Sequence, residues 1–220
     1  MKEKTGVIYS IARENQPIPG CTVSKETYSQ DDDYITHFSM AAETDISAEI
    51  YGYHKLLIVA AGELTVYAPG LNQVWTLQPC EMLATPINTP VGMRTKTDTV
   101  YTEISMGRTL IMNNAIHAGE VFKLADLVPY QDGKIVNMDV AHNDKMKFVI
   151  MAFDAGTGLA EHAAPGEALI FALDGEGVIG YEGKEHAIKA GDNFAFAKGG
   201  AHWVKAEKPF KMALLLTLES

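Results

Sequence analysis

The sequence predicts an all-β protein made of two tandem jelly-roll barrels. Three observations carry this expectation. Short apolar runs are separated by glycine turns, the pattern occurs twice along the chain, and helix signals are weak throughout. The clearest runs are Ala168–Leu173 and Val178–Tyr181, with Asp174-Gly175-Glu176-Gly177 between them. Asp-Gly between apolar runs predicts a tight hairpin, because glycine enters positive φ without a Cβ clash. A second turn, Glu182-Gly183-Lys184, leads into His186–Lys189, and Ala190-Gly191-Asp192 leads into Asn193–Ala197. Short strands at this spacing are the signature of small antiparallel barrels and jelly rolls.

The repeat becomes visible when Gly6–Gly20, GVIYSIARENQPIPG, is written above Gly119–Gly133, GEVFKLADLVPYQDG. The offset of 113 residues, from Gly6 to Gly119, also pairs Val23 with Val136, Ala42 with Ala155, Leu56 with Leu169, and Gly62-Glu63 with Gly175-Glu176. A single offset held through several turns and strand patterns points to a duplicated unit. Beyond Gly62 the register slips by two, as a longer hairpin at Ala68–Asn72 than at Glu182–Lys184 would require. Pro79-Cys80-Glu81 then lies opposite Ala190-Gly191-Asp192. Asn113-Asn114 marks a loop after the strand Val100–Ser105, so the first barrel is expected over residues 1–113 and the second over 114–220. Short helical turns are expected at Lys123–Val128 and its counterpart. Asp31–Asp33 and His142–Lys145 read as equivalent solvated turns.

Composition narrows the function. Hydrophobic residues make up 47% and charged residues 21% of 220, as in an ordinary globular protein. Lys and Arg total 18 against 28 Asp and Glu, a formal charge of −10, and no basic run occurs. A nucleic-acid or anionic-membrane surface is therefore not expected. The opening MKEKTGVIYSIARENQ has neither the apolar core nor the cleavage site of a signal peptide, and no apolar run is long enough for a membrane span. Cys21 and Cys80 form no CxxC pair. A cytoplasmic location is the expectation. No nucleophile elbow, P-loop, dinucleotide glycine motif or HExxH is present.

The stretch from Gly156 to His202 resembles the cupins, whose first motif reads roughly G-x5-H-x-H-x3-4-E-x6-G and whose second reads G-x5-P-x-G-x2-H. With Gly175 as the closing glycine of the first motif, His162 falls on its first histidine, Ala164 on the second and Ala168 on the glutamate. In the second motif Gly191 opens, Ala197 replaces proline, Gly199 matches and His202 is the histidine. The resemblance, with the repeat, implies a bicupin. Cupins of this kind commonly hold one divalent transition metal, Fe, Mn, Ni, Zn or Cu, with three histidines and a carboxylate on inward-facing positions. Here only half of that set remains. Glu167 stands one residue short of the carboxylate position, and a bulge through Ala163–Gly166 would turn it inward to give His162, Glu167 and His202 as a 2-His-1-carboxylate set.

Two readings of that pocket stay open, beside a third in which neither pocket works and the protein is an assembly scaffold. In one, a metal-assisted reaction on a small organic molecule takes place in the second barrel. In the other, His162 and His202 hydrogen-bond a small-molecule ligand without metal, in a cavity widened by Ala164 and Ala168 and walled by Ile170 and Ala172. At the same offset the first barrel has Glu49, Tyr51 and Lys55 at the ligand positions and Val91 for the second-motif histidine. A lysine there repels a cation, so this barrel is expected to be structural, with Tyr51, Tyr53 and His54 lining a small pocket or packing. His37 reads as a core or rim histidine, His186 as exposed, and Trp203 as packing. The partners expected are a small molecule and a second barrel, either within the chain as a pseudo-dimer or in a homodimer.

Overall fold

The structure, a computed structural model, describes residues 1–218. The repeat is realised strand for strand. In the first half the strands are β1 (Thr22–Gln30), β2 (Asp33–Met40), β3 (Asp45–Ile50), β4 (Lys55–Ala61), β5 (Leu64–Ala68), β6 (Gln73–Leu77), β7 (Glu81–Ala84), β8 (Pro90–Arg94) and β9 (Thr99–Met106). Two short strands follow, β10 (Ile111–Met112) and β11 (Val121–Lys123). The second half has β12 (Ile135–His142), β13 (Met146–Phe153), β14 (Thr157–Ala163), β15 (Glu167–Tyr181), β16 (Lys184–Lys189), β17 (Asn193–Phe196), β18 (Ala201–Ala206) and β19 (Phe210–Thr217). Strands β2 and β13 are offset by 113 residues at both ends, and β9 and β19 by 111 at both ends. The two-residue slip therefore occurs where the hairpin lengths predict it.

Each half builds an antiparallel two-sheet barrel. In the first, β1-β2-β9-β4-β7-β11 form one sheet and β3-β8-β5-β6 the other. In the second, β13 pairs β12 and β19, β19 pairs β15, and β14, β18, β15 and β16 complete the barrel. Alternation places one face of each strand inward. The first core gathers Met40, Leu57, Val66, Leu83 and Tyr101, and the second Phe153, Ile170, Phe194, Phe196 and Phe210.

Two expectations are corrected. Asp174–Gly177 is not a hairpin turn, because β15 runs unbroken from Glu167 to Tyr181. Its first part pairs β19 and its second part pairs β16 and β18, with a register shift between Ala172 and Asp174. The glycine here turns the strand from one sheet to the other rather than back on itself. Gly175 has φ +71° and a Cβ would lie 2.0 Å from Pro209 O. Its counterpart Gly62 has φ +79° and a Cβ would lie 2.2 Å from Asp98 O. Only glycine fits this corner.

The domain limits also differ from the expected 1–113 and 114–220. One compact unit comprises Ile11–Lys123, and the other comprises Leu124–Ser220 together with Met1–Ser10. The reason is hydrogen bonding at a strand edge. Val121–Lys123 still pairs β7, through Phe122 opposite Met82, and in the other unit Tyr9 bridges Asn193 at the equivalent edge of β17. A loop signal at Asn113-Asn114 cannot reveal that the following strand still belongs to the first barrel. The expected helical turns are a single α-turn at Ile11–Glu14 and a 3₁₀ turn at Leu124–Leu127. Among the described residues no helix is long and apolar enough to cross a membrane.

Candidate functional site

The second barrel brings His162 and His202 together but leaves Glu167 elsewhere. Strands β14 and β18 place the two histidines directly opposite, with ring centroids 4.2 Å apart. His162 is exposed, and its Nδ1 donates to Ala160 O at 2.9 Å. His202 is buried, and its Nδ1 donates to Gly200 O at 3.0 Å. The Glu167 carboxylate instead forms an ion pair with the Met1 amino group. Among the described residues no group of three or more His, Cys, Asp and Glu side chains could hold a metal ion. Two imidazoles fall short of the three or four donors of a zinc or non-haem iron centre. The residues present do not fit the metal that the resemblance implies.

The interior around this pair is packed. The Phe196 ring stacks on His202 with centroids 4.1 Å apart and an interplanar angle of 28°, and Tyr181 and Phe194 lean on Phe196. Ile170, Ala172 and Ala164 belong to the same buried cluster. His186 is half-buried with its ring 5.0 Å from Phe194, so it is less exposed than the sequence suggested. Trp203 packs over Gly180, where a Cβ would meet the indole at 1.9 Å.

The first barrel is built differently at the equivalent positions. A cavity of about 500 Å³ opens between its sheets, lined by Lys55, Glu103, Glu49 and the tyrosines 34, 51, 53 and 101, with Phe38 and Met93 among the apolar residues. Lys55 opens β4, where its N–H donates to Thr85 Oγ1 at 2.9 Å and its carbonyl accepts from Thr85 N–H at 2.9 Å. That anchoring sends the side chain inward. Lys55 Nζ lies 3.0 Å from Glu103 Oε1 and 3.6 Å from the centre of the Tyr51 ring. Tyr34 donates to the same carboxylate oxygen at 2.7 Å, and Tyr51 donates to Glu49. The side chains of Lys55 and Glu103 are 10% and 4% exposed.

The phenols are held as neutral donors. Burial, then the Glu103 charge, pushes Tyr34 far above its ordinary range. The hydrogen bond to Glu49, then burial, does the same for Tyr51. Tyr101 is raised by burial and by Glu103. Its ring stacks on Phe38 with centroids 5.0 Å apart, and its hydroxyl is buried with no hydrogen-bond partner among the described residues. Buried hydroxyls are normally satisfied, so an unpaired donor at a cavity wall marks a place for a ligand acceptor.

The contrast between the halves follows from the repeat. Glu49, Tyr51 and Lys55, the three positions expected to be a degraded ligand set, converge on one cavity. Their counterparts are His162, Ala164 and Ala168. Glu103 and Tyr101 on β9 correspond to Leu214 and Met212 on β19. Thr85, just beyond β7, corresponds to Phe196, the ring that fills the second barrel, because Thr85 lies against Lys55 as Phe196 lies against Ala168. Glu103, Tyr34 and Tyr101 are functional candidates that the motif search did not single out. The available signal was a lone carboxylate within the fully buried strand TVYTEISM, an arrangement uncommon unless the charge is paired.

The jelly-roll architecture is that of the cupins. Residues 149–218 match the family described as "Cupin domain", and the second barrel is a cupin domain. The chain is similar to a cupin 2 conserved barrel domain protein from Leptotrichia buccalis, with a TM-score of 0.83, 26% identity and 99% of each chain covered. It is also similar to a salicylate 1,2-dioxygenase variant from Pseudoaminobacter salicylatoxidans in complex with gentisate, with a TM-score of 0.62, 11% identity, and 99% of this chain and 84% of that one covered. AerE from Microcystis aeruginosa gives a TM-score of 0.53 at 14% identity, covering 93% of this chain and 98% of that one. The last two likenesses concern the fold alone. No curated protein sequence matches the chain.

Two predictions follow from these geometries. Removing either partner of the buried ion pair leaves an uncompensated charge or a buried polar group, which costs about 3–5 kcal/mol for a charge. Lys55→Met should therefore destabilise the protein by that order in urea unfolding, and Lys55→Met/Glu103→Leu should cost less than Lys55→Met alone. A double variant as damaged as the sum of its single changes would contradict the pairing.

His202 gives a pH signature. Burial lowers its pKa below the ordinary 6.5, opposed by the bond to Gly200 O and reinforced by His162. The unfolded chain then binds the proton more readily than the folded one. The penalty is complete below the folded pKa and disappears above about 6.5. The Tm difference between wild type and His202→Gln should move in favour of wild type as pH rises from about 5 to 7. A pH-independent difference would contradict the assignment.

Proposed function

We propose that the chain is a metal-independent cupin that binds a neutral, oxygen-rich organic molecule in its first barrel. The observation that carries this reading is the Lys55–Glu103 pair facing a cavity of about 500 Å³. That volume is in the range of small-molecule sites. The ammonium of Lys55 and the hydroxyl of Tyr101 supply donors, Glu103 and Glu49 supply acceptors, and the faces of Tyr51, Tyr53 and Phe38 suit an apolar ring or sugar face. Three carboxylates, Glu26, Glu49 and Glu103, line the cavity against the one lysine. This excess, with a chain charge of −10, disfavours organic acids. The dioxygenase of similar fold was captured with gentisate, and a carboxylate of that kind is not the ligand favoured here.

Thermal-shift measurements with matched panels of neutral sugars, polyols and phenols against organic acids test the reading. A ligand of the native state raises Tm by mass action, by several degrees when well above its Kd. At least one neutral compound should do so, and Lys55→Met, measured from its own baseline, should lose the response. Stabilisation by acids alone, or a response that survives Lys55→Met unchanged, would refute it.

A further inference from the structure

We propose that Lys55 is a reactive amine that forms an imine with a small aldehyde or ketone admitted to the first-barrel cavity. The proposal rests on the reading that this cavity is the working site, and it names the substrate class as carbonyl compounds. Three features on two strands support it. The nitrogen of Lys55 lies at the wall of a cavity large enough for a substrate rather than in a dry core. Glu103 Oε1, 3.0 Å from that nitrogen, is placed to take the proton that must leave before the amine can act as a nucleophile. Tyr101 stands two residues before Glu103 on β9 and so shares its face of the sheet. Its unpartnered hydroxyl offers a donor for the carbonyl oxygen.

A buried ion pair is weak support for stability, because desolvating both charges offsets most of their attraction. The second barrel illustrates this, since it is built on the same strands with Ala168 and Leu214 at these two places. The fold does not need the pair. Chemistry at the lysine gives it a purpose.

The steps balance without any added reagent. The ammonium proton of Lys55 passes to Glu103, and the freed amine attacks the carbonyl carbon, forming the C–N bond. The nitrogen proton moves to the carbonyl oxygen, giving a neutral carbinolamine. Glu103 returns its proton to that hydroxyl, the C–O bond breaks, water leaves, and the nitrogen lone pair closes the C=N bond. The product is a protonated imine facing the Glu103 carboxylate again, so the ammonium and the carbonyl compound have become an iminium and water. Tyr34, which donates to Glu103 at 2.7 Å, holds the carboxylate in place throughout.

Limiting glycolaldehyde with sodium cyanoborohydride, read by peptide-resolved mass spectrometry, tests the proposal on the full chain. Reduction fixes any imine as a stable secondary amine. Lys55 should be labelled about tenfold faster than an exposed lysine such as Lys205, and Glu103→Gln should remove that preference. The exposed lysines of the same molecule report whether the reagent is active, and the far-ultraviolet circular dichroism and thermal melt of Glu103→Gln report whether that variant is folded. Lys55 labelled no faster than Lys205 in the wild type overturns the imine. If neutral ligands still stabilise that protein, only the imine fails. If they do not, the cavity reading fails with it.

Discussion

A lysine and a glutamate held 3.0 Å apart within a barrel are the constraint around which the first half is arranged. Taking two charges out of water costs several kcal/mol for each ion, so the surroundings must supply compensating bonds. Tyr34 donates to the carboxylate, and the Tyr51 ring lies beneath the ammonium. The backbone of Lys55 is locked to Thr85 in both directions. These requirements explain why so many phenols line one cavity. Each is a neutral donor, and each is held neutral by burial or by a nearby carboxylate.

The second barrel shows what the same frame becomes without the pair. Ala168 and Leu214 replace the charges, and the space is taken by rings, with Phe196 against His202 where the first barrel has Thr85 and Val91. The two histidines that survive of the cupin motif stand opposite each other, yet their neighbours supply no third donor group among the described residues. The halves differ in complementary ways. One has a core filled with aromatic rings, and the other has a cavity with a polar wall.

Much of the frame was legible because strand periodicity and turn glycines are local properties. The offset of 113 residues, the later slip of two and the paired turns at Gly62 and Gly175 reappear in the strand limits. Asp174–Gly177 misled because positive φ at glycine serves a corner between sheets as well as it serves a hairpin, and only long-range pairing with β19 and β18 distinguishes them. The domain limits were hidden for a similar reason, since an edge pairing such as Phe122 with Met82 leaves no trace in local sequence. The cavity was harder still. Tyr51 and Lys55 were noticed as losses from a motif, and their partners Glu103 and Tyr101 lie nearly fifty residues away on a strand that no motif marks. Reading Lys55 only as a poor metal ligand obscured its use as a fixed cation.

The proposed ligand enters the first barrel, not the second. Methionine methyl NMR tests it most directly, because Met93 lines the first cavity while Met151 and Met212 lie in the core of the second barrel. Titration with the neutral compounds that stabilise the protein should shift the Met93 signal and leave Met151 and Met212 in place. Movement of Met151 and Met212 with Met93 unchanged would put the site beside His162 and His202 and contradict the account.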